Sequence, residues 1–474
     1  MAAWFVGFGL IFLACTAAVT LRRTRVGRRF ARMAGATRLT SRAAARWVAQ
    51  RARALGQDEA ERDRLRQAFH LRTAEDVAAT MGAMKGAMMK LAQMLSYVDA
   101  GLPDSYREAL ARLQEAAPPM TFELAARVVE EELGRPPGRT FAHFDPEPLA
   151  AASIGQVHGA RTHDGRDVIV KVQYPGVADA MAADIGNVDF LYRMLSLSFP
   201  NLDPRPLVEE IRARLGEELD YRCERANQER FLALYRGHPF IKVPEVVPEL
   251  STRRVLTMER VGGLAWRDAL AAPQEARDVW AEAIYRFVFG TFYRHGLFNG
   301  DPHPGNYRFQ ADGSVAFLDY GCVKIFTPGG VDDVRRVTFT ALGGDATALR
   351  DELVRQRFLR PDDDTPPDRL LTWFRIGYEP VLERTPYTFT PEWAEEAVRA
   401  TVDPGSPWAP VQRRFNMPAD YVLLNRITLG LISVLAALGA TNIWRTICDE
   451  FWEDAPPTTT LGRVDAAYRA RRAA

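Results

Sequence analysis

Residues 149–177 read LAAASIGQVHGARTHDGRDVIVKVQYPGV, and the alternation within that stretch decides the fold. A run of small residues, Ala150, Ala151, Ala152 and Ser153, precedes a strand; His163-Asp164-Gly165 supplies a turn; and Val168 to Val172 forms a β-rich strand that carries Lys171. The stretch predicts a hairpin with a lysine on one strand opposite a close backbone approach. A small-residue turn still exposes backbone N–H groups to anions, although alanine is stiffer there than glycine. Many surface strands carry a lysine, so Lys171 gains meaning only from residues further along the chain.

Two later segments supply the rest. Residues 299–306 read NGDPHPGN and residues 316–321 read AFLDYG. Asp301 and Asn306 have the spacing of Asp and Asn in a kinase catalytic loop, where the carboxylate accepts a hydroxyl proton and the amide binds Mg²⁺. Asp319 follows an apolar strand and precedes Tyr-Gly, the place of the metal-holding Asp in such a site. Mg²⁺ takes hard oxygen ligands and is held by one or two carboxylates plus phosphates, which suits an Asn/Asp pair. Singly, DPHPGN is a proline-rich turn and LDYG a strand end; in this order, downstream of Lys171, they form a nucleotide constellation.

The segments AAASIGQVH, VIVKVQYPGV, ELDYRCE, DPHPGN and LDYG succeed one another as in the UbiB/AarF-domain (ABC1-type) atypical kinase family, which this chain resembles over roughly Met84 to Asp319. The resemblance implies an α+β, bilobal protein-kinase-like fold whose alanine-rich loop, Ala150 to Ser153, binds nucleotide together with Lys171. It implies an N-terminal helical extension over the active site, whose K-x-G-Q signature stands here as Lys90-Leu91-Ala92-Gln93, with alanine in place of glycine. Glu218 and Asp220 correspond to the family's E-x-D pair, and Glu224 to the helix glutamate that pairs with the strand lysine. Tyr320 replaces the usual Phe, and Asn299 stands where the family often has His. The implied activity is that of an atypical kinase or ATPase using ATP/ADP and Mg²⁺, in support of isoprenoid quinone metabolism. Alternatives are a Ser/Thr protein kinase and a non-catalytic nucleotide-gated lipid-binding scaffold.

Between Pro206 and Phe231, Ile211, Leu215, Leu219, Cys223 and Ala226 form an apolar stripe that predicts one helix, with Glu217, Asp220, Glu224 and Asn227 along an adjacent face. Acidic neighbours so placed repel unless solvated or matched by cations. In the segment from Met81 to Leu95, Met84, Met88, Leu91 and Leu95 form a core stripe with Lys90 and Gln93 on its flank. Only five of 61 basic residues are lysines: Lys85, Lys90, Lys171, Lys242 and Lys324. Where arginine is habitual, a surviving lysine points to a site that needs a compact ammonium. A contact between Lys90 and the Glu218/Asp220 acids across the site's mouth is expected.

The ends of the chain read differently. Trp4 to Leu21 is an uncharged run of 18 residues, within the roughly 17 to 25 that span a bilayer. Five arginines between Arg22 and Arg29 come directly after it, which puts the catalytic part on the cytoplasmic side of a single-pass anchor. Residues 21–57 hold eleven Arg and no Asp or Glu, so with a net charge of +1 the rest of the chain carries −10. That arm suits anionic lipid; nearly devoid of aromatics, it does not suit nucleic acid. Four scattered cysteines without CxxC spacing argue against a zinc site or disulfide framework. Ile427 to Trp444 reads as a buried large-lobe helix, with a second membrane contact as the alternative. The expected organisation is an anchor (1–21), a basic Arg/Ala-rich juxtamembrane helical segment (22–75), the helical extension (76–140), a small lobe (141–262), a large lobe (263–455) and a flexible basic tail (456–474). The expected partners are an anionic membrane and a small or lipid-like substrate such as a quinone precursor, with homodimerisation left open.

Overall fold

Val168, Val170 and Val172 share one side of a strand and Lys171 stands on the other, the period-2 pattern that gives a sheet one apolar face. The computed structural model describes residues 120–152, 154–178, 213, 216–403, 405–416 and 418–473. The expected anchor (1–21), basic segment (22–75), the extension up to residue 119 with Lys90 and Gln93, and Ser153 all lie outside them. Helix α1 (Phe122–Leu133) precedes β1 (His143–Ala152), β2 (Gly155–Arg161) and β3 (Asp167–Gln173); α2 (Tyr221–Tyr235), β4 (Ile241–Lys242) and β5 (Val255–Glu259) come next. Strands β1, β2, β3 and β5 lie in that order in one antiparallel sheet. The three valines pack with Ala125, Val128 and Val129 of α1 and with Phe141. The small lobe therefore begins before residue 141: α1, expected within the extension, is part of its core.

The single helix expected from Pro206 to Phe231 is interrupted. Asp220 has extended backbone (φ −131°, ψ 98°) and its carboxylate accepts the Arg222 N–H at 3.0 Å, so it is the N-cap of a new helix, which satisfies an otherwise unpaired donor. The buried face of α2 is Tyr221, Glu224, Gln228, Phe231 and Leu232; Cys223 of the expected stripe is half-buried and Ala226 exposed.

The large lobe contains α3 (Gln274–Tyr285), a π-helical turn at Arg286–Gly290, α4 (Thr291–His295), the pair β6 (Leu297–Asn299) and β9 (Val323–Ile325), and β7 (Tyr307–Phe309) with β8 (Val315–Phe317). Strand β4 pairs parallel with β8, which fastens the chain after α2 to the large lobe. Helices α5 (Pro328–Gly343), α6 (Ala346–Arg355), α7 (Pro367–Tyr378), α8 (Pro391–Val402), α9 (Ala419–Leu438), α10 (Trp444–Trp452) and α11 (Thr460–Ala473) complete it. Phe287, Phe298, Phe317, Tyr320 and Trp444 are centred in its main core.

The apolar run 427–444 is not one helix. Gly439 adopts the left-handed conformation that ends α9 (φ 60°), a two-residue strand Thr441–Asn442 comes after it, and Trp444 opens α10. Among the described residues no helix is long and apolar enough to cross a membrane. The tail expected to be flexible is instead helical: α11 buries Asp465 and Tyr468. The same region buries Arg286, whose guanidinium meets Glu282 at 2.7 Å and Glu450 at 2.8 Å and also donates to Thr459, as a charge taken out of water requires.

Candidate active site

Strand register sets the site. Ala150, Val157, Lys171 and Leu256 are successive partners across β1, β2, β3 and β5, so their side chains share the sheet face opposite the valines. Gly155 permits the turn before β2 to close: a Cβ there would stand 2.2 Å from the Val172 carbonyl oxygen. Ala150, Ala151 and Ala152 end β1, with the half-buried to exposed positions of an edge strand.

Lys171 is the hub. Its Nζ donates to Glu224 Oε1 at 2.5 Å and to Asp319 Oδ2 at 3.0 Å, which joins the small-lobe strand, α2 and the segment after β8. Burial works to strip the ammonium of its proton, but Asp319 and Glu224 outweigh it and hold Lys171 above its ordinary value. Burial pushes the carboxyl of Glu224 up to about 7, against the attraction of Lys171. Both shifts retain protons, the response of two carboxylates sharing one cation in a poorly solvated place.

Helix α2 also grips the LDYG turn. Glu224 accepts the Tyr320 backbone N–H, and Asn227, one turn on, donates to the Tyr320 carbonyl at 3.1 Å. Asp319 Oδ1 accepts the Gly321 N–H at 2.9 Å, and Gly321 leaves room beside Asp319 and Glu224 where a Cβ would come within 3.3 and 3.7 Å of their oxygens. Asn299 donates to the Asp319 carbonyl at 2.9 Å. Asn227 and Asn299 are positioning residues that sequence reading placed but gave no role; the i, i+3 spacing of Asn227 from Glu224 was the available signal.

In the DPHPGN loop, Asn306 Nδ2 donates to Asp301 Oδ2 at 3.0 Å, and the Leu318 N–H pairs with the Asn306 carbonyl at 2.9 Å. Asp301, Asn306 and Asp319 line one cavity with Asn299 and Phe317. Since Asn306 uses its amide nitrogen on Asp301, its Oδ1 is the atom left to serve a metal beside the Asp319 carboxylate. Among the described residues no three His, Cys, Asp or Glu side chains form a metal-binding group. An Asn/Asp pair completed by phosphate and water is the arrangement Mg²⁺ uses, so the residues present fit it.

The family-specific acids flank the start of α2. Asp220 is engaged by Arg222, whose hydrogen bonds hold its carboxyl below the usual range. Glu218 is half-buried near Tyr221. Their expected partner, Lys90, lies outside the described residues.

The profile of the ABC1 atypical kinase-like domain matches residues 112–353, which contain Lys171, Glu218, Asp220, Glu224, Asp301, Asn306 and Asp319 but not Lys90 or Gln93. This chain belongs to the ABC1 (UbiB/AarF) atypical kinase family. AarF domain-containing protein kinase 1 of Gallus gallus is 34% identical over 274 residues, 56% of this chain and 53% of that protein. Atypical kinase COQ8B, mitochondrial, of Rattus norvegicus is 32% identical over 289 residues, 60% of this chain and 54% of that protein. The chain spans about half the length of the curated relatives it matches. Among solved structures, Rv3197 from Mycobacterium tuberculosis, in complex with erythromycin, superposes with a TM-score of 0.61 at 29% identity, covering 82% of this chain and 98% of that one. The ABC1 fold is accordingly α+β and kinase-like.

Proposed function

We propose that this ABC1-family chain is a Mg-dependent ATPase or phosphotransferase that acts on a small or lipid-associated acceptor at a membrane, in support of isoprenoid quinone metabolism. The observation that carries the reading is the single ammonium of Lys171 held between Glu224 and Asp319, with Asn306 and Asp301 hydrogen-bonded in the same cavity wall. Lys171, kept in place by Glu224, would bind the phosphates of ATP together with the alanine-rich loop. Asn306 Oδ1 and the Asp319 carboxylate would hold Mg²⁺, which would supply charge neutralisation at the phosphate oxygens. Asp301 takes the proton of the attacking hydroxyl or water as the new bond to the γ-phosphorus forms and the bond to ADP breaks.

By the family resemblance, Lys90, Gln93, Glu218 and Asp220 are proposed as the residues that regulate the site. Residues 4–21 anchor the chain, the arginine-rich arm rests on anionic lipid, and the catalytic part is cytoplasmic. The acceptor chemistry comes from the family and the anchor: a quinone precursor presents a phenolic hydroxyl in the bilayer plane.

ADP release from the full chain, with and without anionic liposomes and a quinone-like phenol, beside Asp319→Asn, tests the proposal. Membrane-stimulated release that the substitution abolishes supports it. Incorporation of phosphate into a generic protein substrate would assign a protein kinase instead, and nucleotide binding without turnover would assign a nucleotide-gated scaffold.

A further inference from the structure

The last helix fastens the far end of the helix that carries Glu224. The final turn of any α-helix leaves carbonyls without intrahelical partners, and in α2 the Leu234 carbonyl accepts the Tyr468 hydroxyl at 2.9 Å and Arg472 Nη1 at 2.6 Å. The same hydroxyl stands 3.0 Å from the Arg236 carbonyl. A cation at a helix C-terminus also opposes the negative end of its dipole.

The turn after α2 is held as well. His238 Nδ1 accepts the Ile241 N–H at 3.1 Å, which leaves Nε2 to donate to Asp465 at 3.2 Å. Arg294 of α4 reaches the other oxygen of Asp465 at 2.9 Å. Asp465 and Tyr468 stand three residues apart on the buried side of α11, so one face of that helix holds α2 and α4 together. Tyr235 at the end of α2 meets Thr291 of α4 at 2.5 Å, and Phe231 packs on Phe287 and Tyr320. Helix α2 is thus gripped at Glu224 and again at Leu234, about 15 Å away at a rise of 1.5 Å per residue.

We propose that α11 is a strut that holds α2 where Glu224 meets Lys171, which makes Tyr468 and Asp465 positioning residues for the active site. The proposal rests on the proposed function only in giving Lys171 and Glu224 their role toward phosphate. Its mechanical content is that releasing the C-terminal end of a stiff helix loosens the other end.

Hydrogen exchange of the full chain tests it, read together with the rate at which an amine-acylating reagent labels Lys171, one of five lysines. Tyr468→Phe removes the hydroxyl alone, Arg472→Ala removes the cation, and Arg463→Ala, exposed on the same helix, is the control. In the first two variants the amides of Glu224 to Gln228 exchange faster by about tenfold, as local opening becomes easier, and Lys171 labels faster; Arg463→Ala matches the unaltered chain. Faster exchange confined to residues 460–473, with 224–228 and Lys171 unchanged, overturns the strut. Both readouts are taken without turnover, so they judge the strut even where ADP release overturns the proposed function. If ADP release is present, kcat falls in Tyr468→Phe more than KM rises.

Discussion

Lys171 Nζ stands 2.5 Å from Glu224 and 3.0 Å from Asp319, so one ammonium ties two carboxylates that arrive on different elements. Lys171→Met leaves those carboxylates facing each other in a buried place. Removing one partner of a buried ion pair costs roughly 3–5 kcal/mol. Urea unfolding at pH 8 should show a loss of that size, and a smaller one at pH 5, where Glu224 takes up a proton. Lys171→Arg should recover part of the stability without ADP release, because a planar fork cannot replace a point charge between two single oxygens.

Glu224 gives a pH dependence of known sign. Its folded value, about 7, lies above its ordinary value of 4.5, so the folded chain holds that proton more tightly than the unfolded chain. The stabilisation is fully present below pH 4.5 and is lost as pH rises through 7. Glu224→Gln lacks the titration. Thermal melts of both proteins from pH 4.5 to 8 should show the stability of the unaltered chain falling relative to the variant, by on the order of 3 kcal/mol. Parallel curves would refute the assignment.

Tyr320 is fully buried, and its hydroxyl has no hydrogen-bond partner among the described residues. A buried polar group left unpaired costs about 1–3 kcal/mol. Tyr320→Phe should raise the unfolding free energy by about 1 kcal/mol, read as a higher denaturant midpoint at an unchanged m-value, with ADP release retained.

Gly430 of α9 lies against the DPHPGN loop: a Cβ at that position would stand 2.3 Å from Pro302 Cγ, in ring atoms that cannot swing aside. Overpacking costs about 1–3 kcal/mol, but the displaced neighbour of Pro302 is Asp301. Gly430→Ala should therefore lower ADP release by about a hundredfold, the scale of a 1 Å misplacement, while the protein stays folded by circular dichroism.

The hairpin, the position of Lys171 and the spacing of Asp301, Asn306 and Asp319 were legible in the sequence because each is a local pattern: a period of two, a turn, a fixed offset. Helix α2 was not. Its start depends on whether the Asp220 carboxylate caps an N–H or faces solvent, and its buried side is chosen by Lys171 and Tyr320, which arrive from elsewhere. Glu224 and Gln228 are inside for that reason, where polarity alone put Cys223 and Ala226. The tail departs from expectation for a related cause: Pro456, Pro457 and the arginines resemble a linker until Asp465 is seen to meet His238 and Arg294. The break in the run 427–444 needed only Gly439, a signal that its overall hydrophobicity masked.

The row that places Lys171 beside Val157 and Leu256 makes the site's chemistry a question of odd and even. The turn at residues 162–166, where Gly165 has φ 88°, can gain or lose chain length without disturbing which side chains point into the cleft. A single residue added between Asp167 and Lys171 would change the count by one, turn the ammonium into the valine layer and bring an apolar side chain to Glu224. The hairpin tolerates variation at its tip and none along its counted edge.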